Sequence, residues 1–191
     1  GHHRTPYTWD KERVSSYIRY VDTDNQSHWL FDSFLFLEIM DTGTGGANKM
    51  FAKGYNLESA NQADWTKLID YYFQSETGIG ALDASVKEAS AILGTPRQKR
   101  QIVISIPEPI VYQHPEQASS STKYWGKIDN QTLDFSNSAD RIKACKWYID
   151  QVRAKFNEKN YQHVELAGFY WLAEKATDTR DILNAVAIYL N

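Results

Sequence analysis

The chain has 191 residues and a mass of 22.0 kDa, room for one domain or one large piece of one. It is 42% hydrophobic and 24% charged, which fits a folded core and excludes an extended disordered chain. Its 21 Lys and Arg against 24 Asp and Glu give a formal charge of -3, so it lacks the basic excess that grips phosphates, and nucleic acid is not the expected partner.

No apolar run reaches the roughly 18 residues a membrane helix needs. The longest, 30–40, is interrupted by Asp32 and Glu38. Cys145 is the only cysteine, which rules out an internal disulfide and cysteine-rich zinc sites. The chain opens Gly1-His2-His3-Arg4, an opening that reads as processed and leaves room for a removed secretory signal. Six Trp, 12 Tyr and 8 Phe make 14% of the residues aromatic, the side chains with which proteins both fill cores and hold sugars.

In chain order, Val14, Tyr17, Ile18 and Val21 share one face and predict a helix over 10–21. A polar turn at 23–27 leads to an apolar run, 29–39, that reads as a buried strand. A glycine-rich connection fills 41–61. Helices follow at 63–74 and at 81–93, the second stopped by Gly94. The β-branched run 101–106 is a strand, ended by Pro107 and Pro109. About thirty polar residues precede a helix that begins at Asn137 and carries Ile142, Cys145, Ile149, Val152 and Phe156 inward. A third strand, 163–171, and a helix over 178–190 complete the pattern.

Strands that alternate with helices predict an α/β fold with parallel strands and helical crossovers. Helix-to-strand links are short, whereas two strand-to-helix links, 41–61 and 107–136, are long. Parallel α/β folds keep their sites at the carboxyl ends of strands, so the site is expected where Ile39, Ile106 and Trp171 end. Three strands fall short of a closed barrel and leave two free sheet edges. The expectation is a single α/β unit over 1–191 that forms the front part of a larger TIM-barrel-like domain. On that expectation, it meets the remainder of its own chain or self-associates.

Glu38 and Asp41 follow the first strand, Glu108 the second and Glu174 the third, next to Tyr170 and Trp171. Paired carboxylates beside aromatic faces suit glycoside hydrolysis, in which one acid protonates the leaving oxygen and the other acts as base or nucleophile. Loop acids also cap helices and pair with lysines, so each carries a structural reading too. His114, in the second long loop, is a cleft-lining candidate or a surface histidine. The histidines form no ligand set, and neither a metal nor another cofactor is expected. The glycine loop 42–49 fails the Walker A and dinucleotide patterns: position 48 is Asn and position 50 is Met.

The run Tyr17-Ile18-Arg19-Tyr20-Val21-Asp22, the run from His28 through Trp29-Leu30-Phe31-Asp32-Ser33-Phe34-Leu35-Phe36-Leu37, and Gly168-Phe169-Tyr170-Trp171 with Glu174 together resemble the bacterial family called domain of unknown function 4855. That resemblance implies a glycoside-hydrolase-like barrel in a secreted or surface protein of a polysaccharide-using bacterium. In barrel glycosidases of the largest clan the acid/base Glu follows strand four and the nucleophile strand seven. Glu174 takes the first role only if a strand is missing or disguised, and the nucleophile would lie beyond Asn191.

Two functions are therefore expected of different kinds. One is a carbohydrate-active hydrolase acting on a polysaccharide outside the cytoplasm, with Glu174 as acid/base, Glu108 as second carboxylate, Tyr170 and Trp171 as sugar platform, and Glu38, Asp41 and His114 lining the site. The other is a non-catalytic glycan-binding or scaffold module on the same architecture.

Overall fold

The computed structural model describes residues 8–42, 46–174 and 178–191. Gly43 and Gly45 of the glycine loop, the two N-terminal histidines and Lys175 lie outside them. Helix α1 (Lys11–Ile18) starts at Asp10, whose carboxylate accepts a 3.0 Å hydrogen bond from the Arg13 amide. It stops three residues short of the expected Val21. Arg19–Val21 instead form β1, paired antiparallel with β2 (Ser27–Trp29). The hairpin wins because Asp22 organises its turn: its carboxylate accepts from the Asp24 and Gln26 amides, and Asn25 takes a φ of 60°.

The apolar run 29–39 is likewise shorter as a strand. Only Ser33–Phe36 pair in the central sheet, as β3. Leu30, Phe31 and Leu35 are 41%, 50% and 48% exposed, so the run is not the buried strand its composition predicts. Asp32, which interrupts the run, accepts from the Ser33 hydroxyl at 2.9 Å and lies close enough to Arg100 to act on its charge. Arg100 is buried under the Trp29 ring at 4.4 Å.

The connection after β3 holds a small sheet: β4 (Met40–Asp41), β5 (Lys49–Met50) and β6 (Glu58–Ser59). Helices α2 (Gln62–Tyr72) and α3 (Gly78–Leu93) follow, α2 opened by a reciprocal capping box between Asn61 and Asp64. Strand β7 (Arg100–Ile106) leads through a long loop, with the short hairpin β8 (Lys127–Ile128) and β9 (Gln131–Thr132), to α4 (Ser138–Lys159). Strand β10 (Val164–Trp171) and helix α5 (Arg180–Leu190) come last.

The central sheet has the order β10-β7-β3, with both pairings parallel. The α/β class with helical crossovers is therefore correct. The described residues form an open three-stranded sheet and not a closed barrel. Partners across strands point to the same side. Phe36, Ile104 and Phe169 share one level of one face, and Ile106 and Trp171 the next. This face packs on the helices through a core that includes Trp65, Trp125 and Tyr148, whose rings meet edge-on at 5.2 and 5.7 Å. The other face carries Ser33, Leu35, Val103, Ser105, Gly168 and Tyr170.

Candidate functional site

The ends of β3 and β7 are stitched together by the segment after β5. The Phe51 amide donates to the Ile39 carbonyl, and the Glu108 amide donates to the Phe51 carbonyl, both at 2.8 Å. Glu38, Asp41 and Glu108 are thus carried to one end of the sheet, and all three are buried. The two prolines that flank Glu108 fix φ on either side of it, and its side chain turns inward.

Glu108 is the chemically distinctive member. Its carboxylate accepts a 2.6 Å hydrogen bond from the Lys53 amide. Burial nevertheless raises its pKa above the ordinary carboxylate range, and the nearby charge of Asp178 pushes the same way. Lys53 ties the site to the third loop as well, because its ammonium pairs with Asp178 at 3.0 Å. Residues that follow β3, β7 and β10 therefore meet around Lys53.

A second carboxylate sits in the opposite environment. Glu58 pairs with Lys49 at 2.6 Å and accepts from the Gln113 amide group at 2.7 Å. These contacts lower its pKa. Tyr124 feels the charge of both Glu108 and Glu58 and is itself held by a 2.7 Å bond to the Ile110 carbonyl. Two carboxyls whose pKa values are pushed in opposite directions, both acting on the charge of one tyrosine, form the kind of split pair that acid–base chemistry uses.

The other expected residues are distributed unevenly. Asp41 closes its own loop: its carboxylate accepts from Ala47 at 3.1 Å and its carbonyl from Asn48 at 2.8 Å. His114 is half-buried, exchanges backbone hydrogen bonds with the Ser120 hydroxyl, and bears electrostatically on Glu58. Glu174 is exposed, takes a left-handed φ of 49°, and accepts a hydrogen bond from the Tyr170 phenol. That contact raises the Tyr170 pKa.

Tyr170 and Trp171 do not form one platform. They are consecutive on a strand and point to opposite faces. Trp171 packs against the helical core, whereas Tyr170 lies with Glu174 on the open face. The indole N–H of Trp171 is buried without a hydrogen-bond partner among the described residues.

Lys53, Glu58, Tyr124 and Asp178 were not among the expected site residues. Lys53 and Glu58 lie in the connection 41–61, where no periodicity marks them, and Asp178 reads only as a helix start. Among the described residues no group of three His, Cys, Asp or Glu could hold a metal ion. No helix there is long and apolar enough to cross a membrane.

The fold and the site define an α/β protein with a parallel sheet and an acid-bearing carboxyl-end face. The profile of the family described as Domain of unknown function (DUF4855) matches residues 1–191, and the chain belongs to that family. Searches of curated proteins and of solved structures found no match.

Proposed function

We propose that this protein is carbohydrate-active and glycoside-hydrolase-like, acting on an extracytoplasmic polysaccharide from the carboxyl-end face of a TIM-barrel-like fold. The observation that carries this reading is Glu108: a buried carboxyl with a raised pKa, at the end of the central strand, between two prolines and beside Lys53. A carboxyl whose pKa is raised by burial holds its proton to higher pH than an ordinary one and is the better placed to give it to a glycosidic oxygen. It suits the acid's role better than Glu174, whose carboxylate is exposed and engaged by Tyr170. Glu58, whose pKa the Lys49 and Gln113 contacts lower, is the partner carboxylate of this reading, and Glu38 lines the same end.

The test is turnover. Glu108→Gln keeps the shape and can still accept from the Lys53 amide, but it has no proton to transfer. On a polysaccharide that the native protein cleaves, the variant is expected to lose at least about 100-fold in kcat with KM little changed. An unchanged kcat removes Glu108 from the chemistry.

The Tyr170–Glu174 pair on the open face favours a second reading, a non-catalytic glycan-binding module. A phenol and a carboxylate side by side offer hydrogen bonds to sugar hydroxyls without any acid–base step. That reading predicts glycan retention with no product. Binding is then lost in Tyr170→Ala and kept in Glu108→Gln.

A further inference from the structure

Four residues in a row lead from the helical layer to Glu108. Arg141 of α4 is buried, and its guanidinium donates to the Asp178 carbonyl at 3.2 Å and to the Asp181 carboxylate at 2.7 Å. Asp178, held in this way just before α5, pairs its carboxylate with the Lys53 ammonium at 3.0 Å. The Lys53 amide in turn donates to the Glu108 carboxylate at 2.6 Å. Lys53 is therefore gripped at two points, by its side chain and by its backbone.

The Lys53 amide has little else to aim it. Phe51 is fixed by its backbone bonds to Ile39 and Glu108. Residues 51–57 form neither helix nor strand, and among the described residues Ala52, Lys53 and Gly54 make no backbone-to-backbone hydrogen bond. Gly54 takes a φ of 134°, a region that glycine enters without steric cost, so no side chain stiffens the chain just after Lys53. A hydrogen bond weakens steeply as its donor swings off line, so the direction of this amide matters. The Lys53–Asp178 pair is about half exposed and adds little to stability by itself. Its consequence is to hold Lys53 in place.

We propose that Asp178 is a positioning residue for Glu108: anchored by Arg141, it grips the Lys53 ammonium and so keeps the Lys53 amide on the Glu108 carboxyl. The amide occupies Oε2, which leaves Oε1 as the oxygen that carries the proton, because a protonated carboxyl accepts at one oxygen and donates from the other. The clasp thus fixes which oxygen presents the proton. Its value for turnover rests on the reading of Glu108 as the acid, whereas the contact itself does not. Lys53 and Asp178 are the charged groups that bear on Glu108, and Glu108 bears on Tyr124.

The NMR signal of the Lys53 amide, followed through a pH titration, tests it. An amide proton that donates to a carboxyl moves downfield when the carboxyl ionises, because the bond becomes charge-assisted. The native protein is expected to show this shift and Glu108→Gln to lack it, which assigns the response to Glu108 rather than to Asp178 or Glu38. Asp178→Ala, and Lys53→Met from the other side of the pair, are each expected to lose most of the response while the amides of β7 keep their native positions. The Asp178 side chain is about half exposed, so its truncation leaves the fold intact. A response of native size in either variant would overturn the proposal, as would one that survives Glu108→Gln or a native protein that shows none. The readout needs no substrate. Unchanged turnover in Glu108→Gln removes the acid, whereas an unchanged amide response in Asp178→Ala removes the clasp.

Discussion

Burial disfavours the Glu108 charge more than the Lys53 amide favours it, and so raises its pKa. The consequence for stability has a definite sign. Its pKa in the unfolded chain lies near the ordinary 4.5, and folding raises it. Below about pH 4 the group is protonated in both states and contributes no penalty. As pH rises through the folded pKa, the unfolded chain gives up its proton more readily, and stability is lost. Glu108→Gln cannot ionise, so its midpoint of thermal unfolding is expected to match the native protein at pH 4 and exceed it at pH 8. A difference on the order of 1 kcal/mol appears as about 2–4 °C in a chain of this size. A gap that is the same at both pH values would show that folding does not raise the Glu108 pKa. The acids themselves were legible in the sequence, because position after a strand is a property of order. Their environments were not: Lys53, which sorts them, lies 55 residues from Glu108.

At the scale of elements, periodicity located the helices well where a face is buried along its whole length. Helix α4 has its inward residues at the expected 3,4,3,4 spacing, with Cys145 and Val152 fully buried. Burial pushes the Cys145 thiol up to about 12, so it stays protonated and unreactive. Periodicity failed where apolar residues are exposed, as in 29–39, and where a hairpin competes with a helix's last turn, as in 19–21. The short strands β4 to β6 carry no pattern because two residues cannot show one. Gly80 is a sharper case. A helix interior favours Ala over Gly by about 1 kcal/mol, yet a Cβ here would sit 2.4 Å from the carbonyl oxygens of Gln74 and Ser75. These are backbone atoms and cannot swing away. Gly80→Ala is therefore expected to destabilise by about 1–3 kcal/mol despite its better propensity, read as a lower urea midpoint with an unchanged slope. A rise in the midpoint would show that the turn between α2 and α3 yields.

At the scale of the whole molecule, the asymmetry of the sheet is the main fact. One face is sealed by helices, with Ile102, Ile104 and Ile106 nearly inaccessible. The other presents small side chains, Ser33, Ser105 and Gly168, around the larger Leu35, Val103 and Tyr170. Two such sheets stacked as a sandwich would want broad apolar surfaces. A mixture of small and large residues instead suits the inside of a narrow barrel, where strands converge and side chains interleave in layers. Leu35 separates these readings because it is 48% exposed on this face. In the protein expressed from the whole reading frame, an interior Leu35 would make Leu35→Ala cost about 2–5 kcal/mol, through lost burial and the cavity left behind. An exposed Leu35 would make the same change cost within about 0.5 kcal/mol. The expected outcome is the larger loss, measured as a fall in the urea midpoint against the native protein. A near-neutral Leu35→Ala would mean that the open face meets water and that the sheet does not line a barrel.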